Sequence, residues 1–329
     1  MKNIEQLKSA DPTAIFCIGD NINILKFEIG YMNWFKTPVS NDKKTVDAFD
    51  GMLRYSSSAY CPVGADHRII TTGGCYVING FPSNTVCQFS IKSIALPIRK
   101  KPMILKRYGH ISVYLNGFVY CIGGFSHKDL PNEQPVTLSA CEKFSVTAEN
   151  QWSHVSQLCE PRAFASQVTF NGQYIYTFGG MHDYTVLQSI EKYDSLNDNW
   201  IKMYFKLPKP IAKLGSCLLN DSTIFIAGGM SKDFDPSAEC WILNLNTLQW
   251  TEKVSMYAPR LTSSGLIFSQ GEYPYVYAVG GNKSRTCERY SVFDEMWEVI
   301  PSFKEKTEQD LNGQMNCLFT YGICASTDL

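Results

Sequence analysis

Residues 173–200 read QYIYTFGGMHDYTVLQSIEKYDSLNDNW. A run of β-formers, Tyr174-Ile175-Tyr176-Thr177-Phe178, is closed by Gly179 and Gly180. A second run over 186–193 ends at Tyr193-Asp194, and Trp200 stands seven residues beyond Tyr193. Glycine has no Cβ, so a glycine pair lets the backbone take positive φ or lie close against a neighbour. A tyrosine and a tryptophan at fixed offsets supply large apolar areas to bury. The stretch predicts short strands joined by tight turns.

Working outward, the unit recurs. Glycine pairs stand at Gly73-Gly74, Gly123-Gly124, Gly179-Gly180, Gly228-Gly229 and Gly280-Gly281, each closing an apolar run. The runs are RIITTGG, FVYCIGG, YIYTFGG, IFIAGG and YVYAVGG, and AIFCIGD at Gly19 is a degenerate sixth. The aromatic partner keeps step. Seven residues separate Phe27 from Trp34, Tyr193 from Trp200, Leu243 from Trp250 and Tyr290 from Trp297, while Phe144 and Trp152 are eight apart. In the second copy Leu96 takes the tryptophan's place.

A period near 50 residues with a double glycine and a spaced Tyr/Trp resembles the kelch repeat. The resemblance covers nearly the whole chain. It implies an all-β, six-bladed kelch-type β-propeller with four antiparallel strands per blade. The bottom-up reading agrees, since the runs are rich in Val, Ile, Tyr and Phe and no helical period is sustained. The expected blades are 13–36 plus 314–321, 54–97, 107–155, 162–205, 211–254 and 260–300. The first is one strand short, and the run QMNCLFTY at 314–321 is expected to join it and close the ring. Closure would remove the edge problem.

Six units use the 329 residues as a single domain. A net charge of −1 carries no basic stripe, so no nucleic acid is expected. The start lacks a signal-peptide core and no run is long and apolar enough for a membrane helix. A cytoplasmic protein without membrane contact is the expectation. The twelve cysteines sit mostly in strand-like runs and contain no CxxC pair, so free buried thiols are expected.

Candidate binding residues fall in three places. A basic residue precedes the first strand of most blades: Arg54, Arg107, Arg162 and Arg260, with Lys213 close to the slot in the fifth. Rotation would gather these into a ring near one pore mouth, suited to acidic peptides. The alternative is that they pair with carbonyls or acids of the scaffold. The insertion at 125–140 carries His127, and the equivalent loops of the next two blades carry Tyr184 and Phe234. Long polar connections at 36–51 and 302–313 are further loops on which binding can reside.

No catalytic residue, metal or cofactor is expected. The five histidines, His67, His110, His127, His154 and His182, fall at different points of the repeat and not at ligand spacing. This departs from the kelch-type copper oxidases that resemble galactose oxidase. A mutarotase-like sugar enzyme is the alternative reading. The favoured one is a non-catalytic scaffold or adaptor that binds a protein partner through loops at one face. The kelch resemblance implies ubiquitin-ligase substrate recognition or cytoskeletal binding. The chain leaves no room for a BTB or F-box domain, so such a role would be that of a separate subunit.

Overall fold

The computed structural model describes residues 14–18, 24–28, 32–37, 53–63, 66–76, 79–90, 98–127, 134–148, 151–262, 266–269, 274–281, 286–302 and 322–325. Among them every regular element is a strand. No helix of the described residues is long and apolar enough to cross a membrane.

Five blades are each cut from one uninterrupted stretch of chain. Blade A comprises Ser57–Val63, Asp66–Thr72, Val86–Ser90 and Ile98–Arg99. Blade B comprises Ile111–Leu115, Phe118–Ile122, Cys141–Ser145 and Trp152–Val155. Blade C comprises Ser166–Phe170, Tyr174–Phe178, Ile190–Asp194 and Asn199–Lys202. Blade D comprises Gly215–Asn220, Thr223–Ala227, Cys240–Asn244 and Gln249–Lys253. Blade E comprises Ile267–Ser269, Tyr275–Val279, Cys287–Ser291 and Met296–Ile300. In each the strands are antiparallel and hydrogen-bonded in chain order.

The expected ring of six like blades is therefore corrected to five. The remaining four-stranded sheet is of a different make. It joins Ala14–Ile18, Ile24–Glu28 and Asn33–Thr37 to Gly322–Ala325 from the far end of the chain. It carries Gly19-Asp20 where the blades have a glycine pair. The strand that pairs with Ala14–Ile18 is Gly322–Ala325, with Ala14 opposite Ala325 and Cys17 opposite Gly322. The strand expected at 314–321 lies outside the described residues, as do nearly all of the loops at 36–51 and 302–313.

The aromatic lattice is a set of directly opposed cross-strand pairs. Phe144 faces Trp152, Tyr193 faces Trp200, Leu243 faces Trp250 and Tyr290 faces Trp297, and the register of Phe27 with Trp34 is the same. Each of the tryptophans Trp152, Trp200, Trp250 and Trp297 also reaches the preceding blade. Its indole N–H donates to a carbonyl just beyond that blade's fourth strand: Lys101, Ser156, Lys206 and Val254 at 2.8–3.1 Å. Trp200 and Trp297 are buried, and Trp152 and Trp250 half-buried. The cores lie between blades. Trp200 and Tyr193 of blade C pack with Ile111 and Tyr120 of blade B, and Trp297 of blade E packs with Phe225 of blade D.

The glycine pairs are explained by the same seams. Gly73, Gly123, Gly179 and Gly228 have φ of +56 to +67. A Cβ on them would collide with the carbonyl of Arg107, Arg162, Ile211 and Arg260, the residue that leads into the next blade. The second glycine then donates its N–H to that same carbonyl, from Gly74, Gly124, Gly180 and Gly229 at 2.9 Å. One glycine allows the approach and the other bonds across it.

Candidate functional site

The basic ring is the first element of the expected site, and three of its members are scaffold. Arg107, Arg162 and Arg260 are 0–1% exposed. Each guanidinium donates to the carbonyl of the first glycine of its own blade's pair, Gly123, Gly179 and Gly280. Each also donates to a second carbonyl, of Ala140, Ser189 and Thr286. Each forms an ion pair with a buried carboxylate: Glu142 at 2.8 Å, Glu191 at 2.5 Å, and Glu288. The carboxylates accept two backbone N–H bonds in turn, from Ile104 and Leu105, from Cys159 and Glu160, and from Tyr257 and Ala258. These donors lie in the connection that enters the blade. The arginine and glutamate thus pin the connection, the glycine turn and the third strand together. The expectation that these arginines face a ligand is corrected, because a fully buried guanidinium in an ion pair is closed to solvent and partner.

Arg54 fails for a different reason. It pairs with Cys75, one residue past Gly74. The residues that pair one past the second glycine in blades B, C and D are Tyr108, Ala163 and Ala212, each directly after the slot. The true slot of blade A is therefore Leu53. Blade D holds Ile211 there. Lys213 lies two residues beyond it, and the structure places it elsewhere.

At two residues past the slot, the four blades A to D share a left-handed backbone. Tyr55, Gly109, Phe164 and Lys213 have φ of +53 to +59. Their main chains are linked in sequence, Gly109 N–H to Tyr55 carbonyl, Phe164 to Gly109 and Lys213 to Phe164, at 2.7–2.8 Å. The side chains then converge although blade A is a neighbour of neither blade C nor blade D. The rings of Tyr55 and Phe164 lie 5.2 Å apart at 77°. The Lys213 ammonium lies 4.5 Å from the Phe164 ring centre and 5.3 Å from that of Tyr55. Blades A and D can touch only across the central channel, so these three residues bridge its mouth. Gly109 makes the room, since a Cβ there would meet the Phe164 ring at 2.7 Å.

A wall rises beside the mouth from two-stranded ribbons that prolong the blades past their glycine pairs. Phe125–Ser126 pairs with Val136–Thr137, and Met181–His182 with Thr185–Val186. The ribbons are laced together. Thr137 donates to the Asp183 carboxylate and accepts from the Asp183 N–H, and the Tyr184 hydroxyl donates to Gln134. Beneath them Phe125, Met181, Val186 and Met230 share one apolar cluster with Ala163 and Ala212. His127 packs on Tyr108 and against Phe81 of blade A, with ring centres 6.4 and 5.9 Å apart. Burial first, then the nearby acidic groups of Cys75, Tyr55 and Tyr184, push the Tyr108 hydroxyl up to about 12, so it stays a neutral donor. Of the expected site residues, the structure brings Lys213, His127 and Tyr184 to this one face. Phe234 is exposed at the corresponding turn of blade D.

Tyr55, Phe81, Tyr108 and Phe164 were not expected. The spacing from slot to first glycine is 16 residues in blade B and 20 in blade E, so sequence counting does not set which residue reaches the mouth. Chemically the residues named here offer aromatic surface, hydroxyls and the Lys213 ammonium. Among the described residues no three His, Cys, Asp or Glu side chains converge as metal ligands.

The family model described as the KLHDC2/KLHL20/DRC7 Kelch-repeats domain matches residues 55–281. Kelch-like protein 25 of Xenopus tropicalis is 26% identical over 250 residues, which are 74% of this chain and 40% of that protein. Kelch domain-containing protein 10 of Xenopus laevis is 24% identical over 333 residues, covering 90% of this chain and 77% of that protein. Kelch-like protein 23 of Pongo abelii is 23% identical over 252 residues, with 75% and 42% covered. The chain spans well under half the length of the Kelch-like relatives it matches.

Proposed function

Since the chain belongs to the kelch-repeat family, whose model covers more than half of it, we propose that it is a non-catalytic protein-interaction scaffold that binds its partner on the ribbon-walled face of the propeller. The observation that carries this reading is the exposed aromatic surface there. Tyr184 is 74% exposed, and Tyr55, Phe81 and Phe234 also remain open to solvent. Aromatic side chains bring large contact area with little entropy to lose, and interfaces are enriched in them. The rigid seams below hold the face in place, so little ordering is needed on binding.

The finer reading is that of a recognition subunit in a ubiquitin-ligase or cytoskeletal assembly, acting in the cytoplasm. The kinship with Kelch-like proteins supports it. Affinity capture with the intact chain, followed by identification of the bound proteins, tests it. The face is tested on the captured partner. Tyr184→Ala with Phe81→Ala should weaken binding by at least ~2 kcal/mol if these are central anchors. Leu196→Ala with Phe293→Ala, in the third-to-fourth-strand turns at the opposite end, should leave binding unchanged. The reverse pattern would move the site to the other face.

A further inference from the structure

The mouth of the channel contains a built cation site that the chain fills itself. Two aromatic rings, Tyr55 and Phe164, stand nearly perpendicular, at 77°, with centres 5.2 Å apart. The Lys213 ammonium faces both, within the ~6 Å at which a ring quadrupole attracts a cation. Two perpendicular walls around one ammonium form a cage.

Three features argue that the cage is more than a chance contact. The left-handed backbone at all three residues is a strained conformation for a non-glycine residue, and it aims three side chains from three blades at one point. Gly109 is the one member of the series without a side chain, and its absence of a Cβ is what lets the Phe164 ring in. Tyr55 is more than a third exposed and Lys213 and Phe164 are half-buried. The lysine stem is flexible, so its ammonium can swing to water without moving the backbone.

We propose that Tyr55 and Phe164 form a cage for an ammonium group presented by a protein partner, a lysine or its methylated form, and that Lys213 occupies it as an internal competitor in the unbound chain. The inference rests on the reading of this face as the partner surface and adds the chemistry of one anchor. Recognition then requires the partner's cation to displace Lys213. A methylated ammonium does this best, because it is less strongly hydrated than the primary amine it replaces and keeps its charge.

The probe is tetramethylammonium chloride, titrated at constant ionic strength against sodium chloride and followed by the ring resonances of tyrosine and phenylalanine. Lys213→Ala should bind it saturably and about tenfold more tightly than the wild type, the difference set by a competing cation–π contact. Lys213→Met, which keeps an apolar stem and no charge, should behave alike and guards against a fold defect in the alanine variant. Adding Tyr55→Leu to either should abolish saturable binding. Equal affinity in wild type and both lysine variants, or no saturation in any of them, would overturn the cage. The aromatic-face reading is judged separately, by Tyr184→Ala with Phe81→Ala against the captured partner. Loss there without tetramethylammonium binding refutes the cage and leaves the face.

Discussion

Ile211 and Trp241 of blade D occupy the two positions that a buried arginine and glutamate hold in blades B, C and E. The carbonyl of Ile211 accepts from Gly180 as that of Arg162 accepts from Gly124. Trp241 stands opposite Ile226, as Glu142 stands opposite Cys121 and Glu191 opposite Thr177. Both replacements are buried and share one apolar cluster. In blade A the slot is Leu53 and the glutamate position, opposite Thr71, is Cys87. The charged residues change together or not at all, as expected when a lone buried charge is costly.

A prediction about stability follows directly. Arg162→Ala should cost about 3–5 kcal/mol in denaturant unfolding, since it strands the Glu191 carboxylate, which is 0% exposed. Arg162→Ile together with Glu191→Trp should recover most of that loss, because blade D already folds with this pair. A double variant as unstable as the single one would show that the guanidinium's carbonyl bonds, not the ion pair, hold the seam.

The glycines should rank by what lies next to them. Gly179→Ala drives a methyl into the Ile211 carbonyl and adds left-handed strain at φ +58. Gly117→Ala, at φ +82, meets nothing within 4 Å and carries the strain alone, about 1–3 kcal/mol. Melting curves of the two should differ clearly, with Gly179→Ala the worse.

Tryptophan truncations should follow burial. Trp297→Ala and Trp200→Ala should each cost ~3–5 kcal/mol, the range for large buried aromatics. Trp250→Ala should cost less, because that ring is half-buried. Equilibrium unfolding of the three variants reads the order.

His110 gives a pH dependence. It is buried against Thr72, and burial first, then the Arg107 charge, hold its imidazole well below the ordinary value of 6.5. The folded state keeps it neutral while the unfolded chain protonates it. Its contribution is therefore complete above about pH 6.5 and is lost as pH falls below that value, at up to about 1.4 kcal/mol per pH unit. Stability measured against pH for wild type and His110→Gln should diverge on the acid side only.

Thiol titration tests the cysteines. None of the nine in the described residues is in a disulfide, and eight are buried, with burial pushing Cys121, Cys141 and Cys240 up to about 12. A thiol reagent should count twelve free groups in denaturant without reductant. Of those nine, native protein should expose Cys159 alone to fast reaction.

The sequence by itself determined the repeat, the strand runs, the glycine pairs and the aromatic pairs, because each is written within one unit of about 50 residues. A seven-residue spacing between tyrosine and tryptophan is a hairpin with its two aromatics opposed, and no distant contact is needed to specify it. Tertiary structure decided the rest. Arginine in the slot reads the same whether it faces solvent or a buried glutamate, and only the fold brings Arg162 to Glu191, 29 positions on. Hairpins and ribbons differ in length between blades, so counting put Arg54 in a slot that belongs to Leu53. The end sheet reads as a sixth like blade in sequence because its short strands resemble the others, while its closing strand lies at Gly322–Ala325, beyond the apolar run at 314–321. Tyr55, Phe164 and Lys213 are 109 and 49 positions apart and share no motif. They meet because a closed ring of blades turns residues at its inner edge toward one axis, a property of the ring and not of any one repeat.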